Sequence, residues 1–204
     1  MAKAARLNVM VSSSVYGNQN LLDRIYATLS VSYNVWMSHE GTVFVNSKVG
    51  NFANCIAAVE ECDVFLGIIT GNYGSGLEKK GEPSITHLEM RRALELEKQR
   101  CCLVHESVVT ARQLLAPFRM NPEQGPFRRD EKGDLKLIEW PRGNRVISDL
   151  QVLDLYEEMM RLNLPIAERT GNWVQTYQTD EDALRYITTV FGDVKRLRRI
   201  VKGE

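Results

Sequence analysis

The sequence predicts an α/β protein of the three-layer, flavodoxin-like class, in which helices cover both faces of a parallel β-sheet. Two observations lead to this fold class. Short runs rich in β-branched residues alternate along the chain with segments whose apolar residues recur every three or four positions. One run, Val64–Ile69, is apolar throughout, which is typical of a strand buried on both faces of a parallel sheet. Strands that alternate with helices at crossover distance are expected to lie parallel.

The first half of the chain follows this alternation element by element. A strand is predicted at residues 7–11, where it ends in the polar loop Ser12-Ser13-Ser14. Asn18 is suited to cap the helix that follows. Further strands are expected at residues 34–37, 64–69 and 101–105, and helices at residues 21–29, 52–62, 86–98 and 110–115, the last closed by Pro117.

The second half begins with a stretch of weak periodicity over residues 118–145. Four of the six prolines lie in or beside it, and Gly133 suits a hairpin turn between two short runs. Regular patterns then return. A helix is expected over residues 150–160, a strand over residues 173–177, and a final helix from a capping box at Thr179 and Asp182 through Leu197.

These patterns divide the chain into three parts. Residues 1–117 are expected to form an α/β core of the TIR-like kind discussed below. Residues 118–170 read as an irregular insertion plus a helix, because prolines and broken periodicity dominate most of the stretch. Residues 171–204 are expected to supply a strand and a helix that pack back on the core.

Charge and hydropathy exclude several classes of function. Lysine plus arginine and aspartate plus glutamate both number 26, so no net field would attract nucleic acid or an anionic membrane. No apolar run approaches the roughly 20 residues that a membrane span needs, and none resembles a signal peptide. We therefore expect a cytoplasmic protein with neither a nucleic-acid nor a membrane partner. The four cysteines, which include the neighbours Cys101 and Cys102, suit buried thiols in a reducing compartment.

The carboxyl ends of the predicted strands locate the functional edge. Ligands of open parallel sheets bind outside these ends, where the strand order reverses. The loops at this edge are residues 12–17, 38–50 and 70–84. The glycine-rich part of the last loop is not a P-loop, because no Gly-Lys-Ser/Thr sequence follows it.

Glu89 is the most informative single residue, and two interpretations of it stay open. It lies one turn into a helix that begins at the ligand-binding edge, where a carboxylate can hold ribose hydroxyls and stabilise an oxocarbenium-like transition state. The spacing from Thr86 to Glu89 is also that of a capping box, in which the glutamate only satisfies a backbone amide.

Other chemistries have less support in the sequence. The histidines His39, His87 and His105 fall on separate elements, in a spacing that does not suggest a metal site. No serine lies in a nucleophile elbow. The basic end of the final helix, residues 195–199, is interpreted as a solvated surface that complements the helix dipole. We expect neither a metal nor a cofactor.

A series of short segments carries a resemblance to a known family. They are VMVSSSVYG at residues 9–17, VWMSH at 35–39, AVEECDVFLGII at 58–69, YGSG at 73–76, SITHLE at 84–89, VH at 104–105 and ARQLL at 111–115. In this order they resemble the bacterial domain-of-unknown-function 4062 family over residues 7–116. That family is similar in pattern to TIR and nucleoside-deoxyribosyltransferase-like folds.

The resemblance implies a set of site residues. TIR-type NAD glycohydrolases use a glutamate in the helix after the third strand, which corresponds to Glu89 here. Ser12, Ser13 and Tyr16 after the first strand would line the ribose or phosphate side of a substrate. The loop after the second strand would contribute to assembly and base contact. Its candidates are Trp36, Ser38 and His39, and Tyr73 and Ser84 in the later segments are further substrate-binding candidates.

The function that the resemblance implies is a nucleotide-directed N-glycosidase with NAD as substrate, acting as an effector or signalling module in bacterial antiphage defence. Such sites are commonly completed by a neighbouring copy, so we expect a homo-oligomer. A separate protein partner would supply the sensor, because this chain carries no NTPase or sensor domain. The alternative is a non-catalytic TIR-like adaptor that binds a nucleotide or a protein and works by assembly. The predicted helix over residues 150–160 offers Tyr156, Met159 and Met160 either as a contact surface or as part of the core.

Overall fold

The computed structural model describes residues 5–74, 76, 82–120, 127–129, 131, 135–137 and 146–204. Within these residues the chain forms seven strands and seven α-helices. The strands are β1 (Asn8–Ser13), β2 (Asn34–Trp36), β3 (Val64–Ile69), β4 (Gln99–His105), β5 (Phe127–Arg129), β6 (Leu135–Leu137) and β7 (Val174–Tyr177). The helices are α1 (Gln19–Ser30), α2 (Asn51–Glu61), α3 (Ile85–Glu95), α4 (Glu106–Met120), α5 (Gln151–Met159), α6 (Asp180–Phe191) and α7 (Val194–Lys202).

Five strands form one sheet in the order β2-β1-β3-β4-β7, and every pair in it is parallel. This arrangement confirms the predicted α/β class and is consistent with a flavodoxin-like three-layer fold. The strand order reverses at β1, which has β2 on one side and β3 on the other. The predicted strand at residues 173–177 is β7, which pairs with β4. Strands β5 and β6 form a separate antiparallel pair, and Gly133 between them lies outside the described residues.

Two apolar clusters cover the two faces of the sheet. On one face, Met10 and Phe65 of the sheet pack with buried residues of α2, α3, α4 and α5. On the other face, Val11 and Leu66 pack with buried residues of α1, α6 and α7. Each fully buried aliphatic or aromatic side chain contributes about 1.5–3 kcal/mol, so the two clusters together hold the layers in place. All six residues of β3 are buried, as its unbroken apolar sequence predicts.

Both ends of helix α4 differ from those that the sequence predicts. Helix α4 begins at Glu106 and continues through Pro117 to Met120. It begins early because the His105 side chain accepts a hydrogen bond from the Ser107 amide at 3.2 Å. The prediction that Pro117 closes the helix is wrong: proline removes one amide donor, but Leu115 and Phe118 on either side of it both pack into the core.

The long final helix is interrupted. Helix α6 begins with the predicted capping box, in which Thr179 and Asp182 exchange side-chain and backbone hydrogen bonds. It ends at Phe191, and the Asp193 side chain then caps α7 by accepting from the Arg196 amide at 2.9 Å. An aspartate competes with a continuous helix by bonding its own local backbone, which accounts for the break.

Helix α5 belongs to the core. Tyr156 and Met159 are buried in the cluster beside α3 and α4, and Met160 packs against the same cluster. The alternative in which this helix exposes these three residues as a contact surface is therefore wrong. Among the described residues, no helix has the length and apolar character needed to cross a membrane.

Candidate functional site

Helix α3 begins two residues earlier than the Thr86–Glu89 spacing suggests. Ser84 is its N-cap, and the Ser84 hydroxyl accepts a hydrogen bond from the His87 amide at 3.3 Å. Thr86 is thus already inside the helix, and the capping-box interpretation of Thr86 and Glu89 is wrong. The Glu89 carboxyl group is left for contacts with the sheet.

Glu89 is a residue of α3. Its side chain lies against β1 and α2 and is only 4% exposed. Its Oε2 atom accepts a hydrogen bond of 2.5 Å from the Ser12 hydroxyl at the carboxyl end of β1. Burial raises the pKa of Glu89 to about 7, and hydrogen bonds from Ser12 and from the Cys55 thiol of α2 act in the opposite direction. Burial, with the neighbouring Glu89 charge, also raises the pKa of Cys55 to about 12, so the thiol remains protonated at neutral pH.

The sheet places this carboxyl group at the point where the strand order reverses. Ser12 pairs in register with Gly67 of β3. A Cβ atom at Gly67 would lie 3.1 Å from the Met90 side chain, so the glycine allows α3 to pack closely on the sheet. Glu89, the neighbour of Met90, is thereby held against β1 where ligands of this fold class usually bind.

The other residues of the first loop have different surroundings. Ser13 accepts a hydrogen bond from the Asn18 side chain at 3.4 Å. Ser14 shares a hydrogen bond of 2.9 Å with Thr70 at the end of β3. Tyr16 extends away from these contacts and is 81% exposed. Only Ser12 of this loop meets Glu89 directly.

Tyr73 and Ser84 lie together in a buried network at the start of α3, the helix that carries Glu89. The Tyr73 hydroxyl is 2.6 Å from Nδ1 of His87 and accepts a hydrogen bond from the Ser84 amide at 3.2 Å. It also donates to the Gln151 side chain at 3.2 Å. These contacts join the loop after β3 to the first turn of α3, two residues before Glu89.

The network also includes an ion pair that the sequence did not predict. The Nε2 atom of His87 is 3.1 Å from Glu158 of α5, and Glu158 accepts two hydrogen bonds from Arg91 at 2.7 and 2.6 Å. Burial alone would raise the pKa of Glu158, but the hydrogen bonds and charges of Arg91 and His87 lower it to about 2. The 71 positions between His87 and Glu158 left no local pattern from which to predict the pair.

Trp36 ends β2, and Ser38 and His39 lie in the loop after it; among the described residues none of the three makes a hydrogen bond to Glu89. Trp36 is half-buried and lines an apolar cavity of about 300 Å³ against α2, and Ser38 is exposed. His39 is 2.7 Å from Asp23 of α1 and 3.5 Å from Glu40. The ligand atoms of Asp23, His39 and Glu40 lie within 4.8 Å of one another, so these three residues could hold a metal ion. The sequence did not predict this group, because Asp23 lies on helix α1 and only the fold brings it to His39 and Glu40.

A second cavity, of about 260 Å³, lies at the carboxyl ends of β1, β3, β4 and β7. We call it the carboxyl-edge cavity. Tyr16 is the predicted site residue in its wall. The other lining residues are Gly17, Asn18, Thr70, Gly71, Asn72, His105, Ser107, Val146, Tyr177, Gln178, Thr179 and Asp180.

The fold and the buried carboxyl group define a flavodoxin-like α/β protein with an acidic residue at the switch point of its sheet. The chain belongs to the family described as Domain of unknown function (DUF4062), whose model matches residues 8–130. The match confirms the family resemblance and includes both Ser12 and Glu89. No curated protein matches the chain, and no solved structure matches it.

Proposed function

We propose that this protein is a TIR-like, nucleotide-directed N-glycosidase, with NAD as its substrate and Glu89 as its catalytic residue. The observation that carries the proposal is the hydrogen bond between Ser12 and the buried Glu89 carboxyl group at the switch point of the sheet. A carboxyl group whose pKa is shifted by burial and which lies where ligands bind is a candidate for catalysis.

The proposed reaction breaks the bond between a nucleobase and the anomeric carbon of ribose. The bonding electron pair leaves with the base, and the sugar passes through an oxocarbenium-like state. Ionised Glu89 would accept hydrogen bonds from ribose hydroxyls and stabilise the positive charge that develops on the ring. A water molecule then adds to the anomeric carbon and releases one proton. For NAD the products are free nicotinamide, ADP-ribose and that proton.

The substrate would reach Glu89 by replacing its present hydrogen-bond partner. The Ser12 hydroxyl occupies one carboxyl oxygen, and a ribose hydroxyl is a chemically equivalent donor. Exchange of one hydroxyl for another keeps the buried oxygen satisfied, which limits the free-energy cost of binding. Ser12 can then turn to the substrate as a donor or an acceptor.

The direct test is to incubate the purified full chain with NAD and a panel of nucleosides and to quantify free base by chromatography. We expect release by the wild-type chain and a loss of about a hundredfold or more in Glu89→Gln, as is typical when a group that stabilises transition-state charge is removed. Glu95→Gln is the matched control, because Glu95 lies on the same helix and is exposed. Base release by Glu89→Gln at the wild-type rate would end the assignment.

A second candidate function is a non-catalytic adaptor that binds a nucleotide or a protein partner and acts through assembly. The low exposure of Glu89 favours it, because a carboxyl group already satisfied by Ser12 and Cys55 serves a purely structural role equally well. Under this alternative the chain binds NAD, or assembles into homo-oligomers, without releasing base. Sedimentation with and without NAD, run beside the base-release assay, separates the two candidates.

Under either candidate we propose the biological setting that the TIR-like resemblance implies. The chain would act as an effector or signalling module in bacterial defence, and a separate protein would supply the sensor. Phage plating on cells that express the wild-type chain or Glu89→Gln tests this setting. Equal plating efficiency on cells that express the wild-type chain, on cells that express Glu89→Gln and on cells that express neither would count against it.

A further inference from the structure

The carboxyl-edge cavity is lined by a tyrosine whose hydroxyl makes no hydrogen bond to the described part of the chain. Tyr177, the last residue of β7, is 4% exposed and lines the cavity. Its hydroxyl oxygen has no partner within the described part of the chain and keeps some accessible surface, so it opens to the cavity. Burial raises the pKa of Tyr177, so the hydroxyl stays protonated and available as a donor.

The cavity wall offers two further polar groups, one on His105 and one on the exposed Tyr16. His105 packs edge-on against Tyr177, with ring centroids 5.2 Å apart. Its Nδ1 atom accepts from the Ser107 amide, which places the proton of the neutral ring on Nε2. Neither this Nε2 atom nor the hydroxyl of Tyr16 has a partner among the residues that the structure describes.

The charge of the wall limits what the cavity can bind. Among the described residues that line the cavity there is no lysine or arginine, and the Asp180 carboxylate in its wall is 3.8 Å from Arg24 of α1. A phosphate group would therefore find no cationic side chain in the described wall with which to pair directly. An uncharged planar ring that accepts hydrogen bonds fits better, because tyrosine and histidine rings offer surfaces for stacking and the unpaired groups are donors.

We infer that the carboxyl-edge cavity binds the uncharged base of a nucleoside or nucleotide, with Tyr177, Tyr16 and His105 as its contacts. The inference rests on the proposed function in one respect, since it gives the base a place relative to Glu89. Ser12, which bonds Glu89, and Ser14, which bonds the cavity residue Thr70, are two residues apart in the chain, so the cavity lies close to Glu89.

The test measures binding to the full chain by isothermal titration with adenosine, ribose and inorganic phosphate as separate probes. We expect adenosine to bind and the other two probes to bind at least tenfold more weakly. Tyr177→Phe removes only the unpaired hydroxyl and should weaken adenosine binding about three- to tenfold, the value of one hydrogen bond. Tyr16→Ala should weaken it by at least as much, because a stacking ring is lost.

Two matched controls should leave adenosine binding unchanged. Tyr26→Phe removes a tyrosine hydroxyl on α1 outside the cavity, and Trp173→Ala removes a 73% exposed ring at the opposite end of β7. Absence of adenosine binding, wild-type affinity in Tyr177→Phe and Tyr16→Ala, or stronger binding of ribose or phosphate would each overturn the inference.

The same titrations on Glu89→Gln separate this inference from the proposed function. Adenosine binding that survives Glu89→Gln and depends on Tyr177 supports the cavity even where no base release occurs. The opposite result is base release that depends on Glu89 together with adenosine binding that is unchanged in Tyr177→Phe. It would leave the proposed function intact and overturn the inference about the cavity.

Discussion

The Ser12 hydroxyl and the Glu89 carboxyl group, 77 positions apart in the chain, are joined by a hydrogen bond of 2.5 Å. Strand β1 supplies the donor and helix α3 supplies the acceptor. The bond is buried, so we expect its loss to change the pKa of Glu89 first.

Ser12→Ala should raise the pKa of Glu89 above its value of about 7. The hydrogen bond from Ser12 lowers this pKa, and its removal leaves burial less opposed. Carbon NMR titration of labelled glutamate side chains measures the change. Ser14→Ala is the matched control, because Ser14 bonds Thr70 and not Glu89. A Glu89 pKa that stays the same in Ser12→Ala would contradict the role given to this hydrogen bond.

Glu89 should make the protein less stable as the pH rises from about 4.5 to about 7. Its pKa is higher in the folded chain than the ordinary 4.5, so the folded state holds the proton more tightly and loses that advantage over this interval. The difference amounts to about 3 kcal/mol at most. Urea unfolding at a series of pH values measures it, and Glu89→Gln should flatten the curve between pH 4.5 and 7. Parallel curves for the two proteins would show that the pKa is not shifted.

If ionised Glu89 is the catalytic form, base release should rise with pH through about 7, because the raised pKa keeps much of the carboxyl group protonated below that value. The rate at saturating NAD, measured from pH 5.5 to 8.5, gives the profile. A rate that falls with pH over this range would indicate that the protonated acid is the active form. A flat profile would argue against any ionisation of Glu89 in the rate-limiting step.

Glu158 should show the opposite dependence, at lower pH. Its pKa is depressed to about 2, so it contributes stability that is present above pH 4.5 and lost as the pH falls towards 2. Glu158→Gln should remove this dependence and destabilise the chain by about 1–2 kcal/mol at pH 7, the range for hydrogen bonds to a charged group at a partly exposed site. Glu168→Gln, at an exposed position, is the control and should change neither quantity.

Ser84→Ala should cost about 1 kcal/mol of unfolding free energy, because Ser84 is the N-cap of α3. Ser84→Gly should cost only a few tenths, since glycine is tolerated at N-caps. Chemical denaturation of the two variants measures the difference. Equal losses in both would show that packing of the buried side chain, and not capping, determines the cost.

The sequence predicted the parts of the fold that local patterns encode. The unbroken apolar run of β3 and the spacing of the amphipathic helices predicted the alternation of strands and helices. Because ligands of parallel sheets bind at the carboxyl ends of the strands, the sequence also predicted Ser12 and Glu89 at the same end of the sheet. The predicted start of α3 was wrong, because the spacing from Thr86 to Glu89 is that of a capping box, whereas the N-cap is Ser84. At short range both Ser84 and Thr86 are acceptable caps, and only packing decides between them.

The contacts that the sequence did not predict join residues from distant elements. His87 meets Glu158 across the space between α3 and α5, and Asp23 of α1 meets His39 of the next loop. Tyr177 looked like an ordinary strand residue, because alternation reports burial and says nothing about an unpaired hydroxyl. Such features depend on the docking of whole elements, for which a single sequence holds no periodic signal.

The pairing of β7 with β4 has a consequence for how the chain folds. Strand β4 is followed in sequence by α4, β5, β6 and α5 before the strand that covers its outer edge arrives. During synthesis β4 therefore has an open edge, which is a template for pairing with other chains until residues 174–177 dock. Arg100 near the start of β4 is a charged residue on that edge strand, and charged edge residues discourage intermolecular pairing. Chains that stop short of β7 should thus aggregate, and aggregation should decrease when a peptide with the sequence of β7 is added.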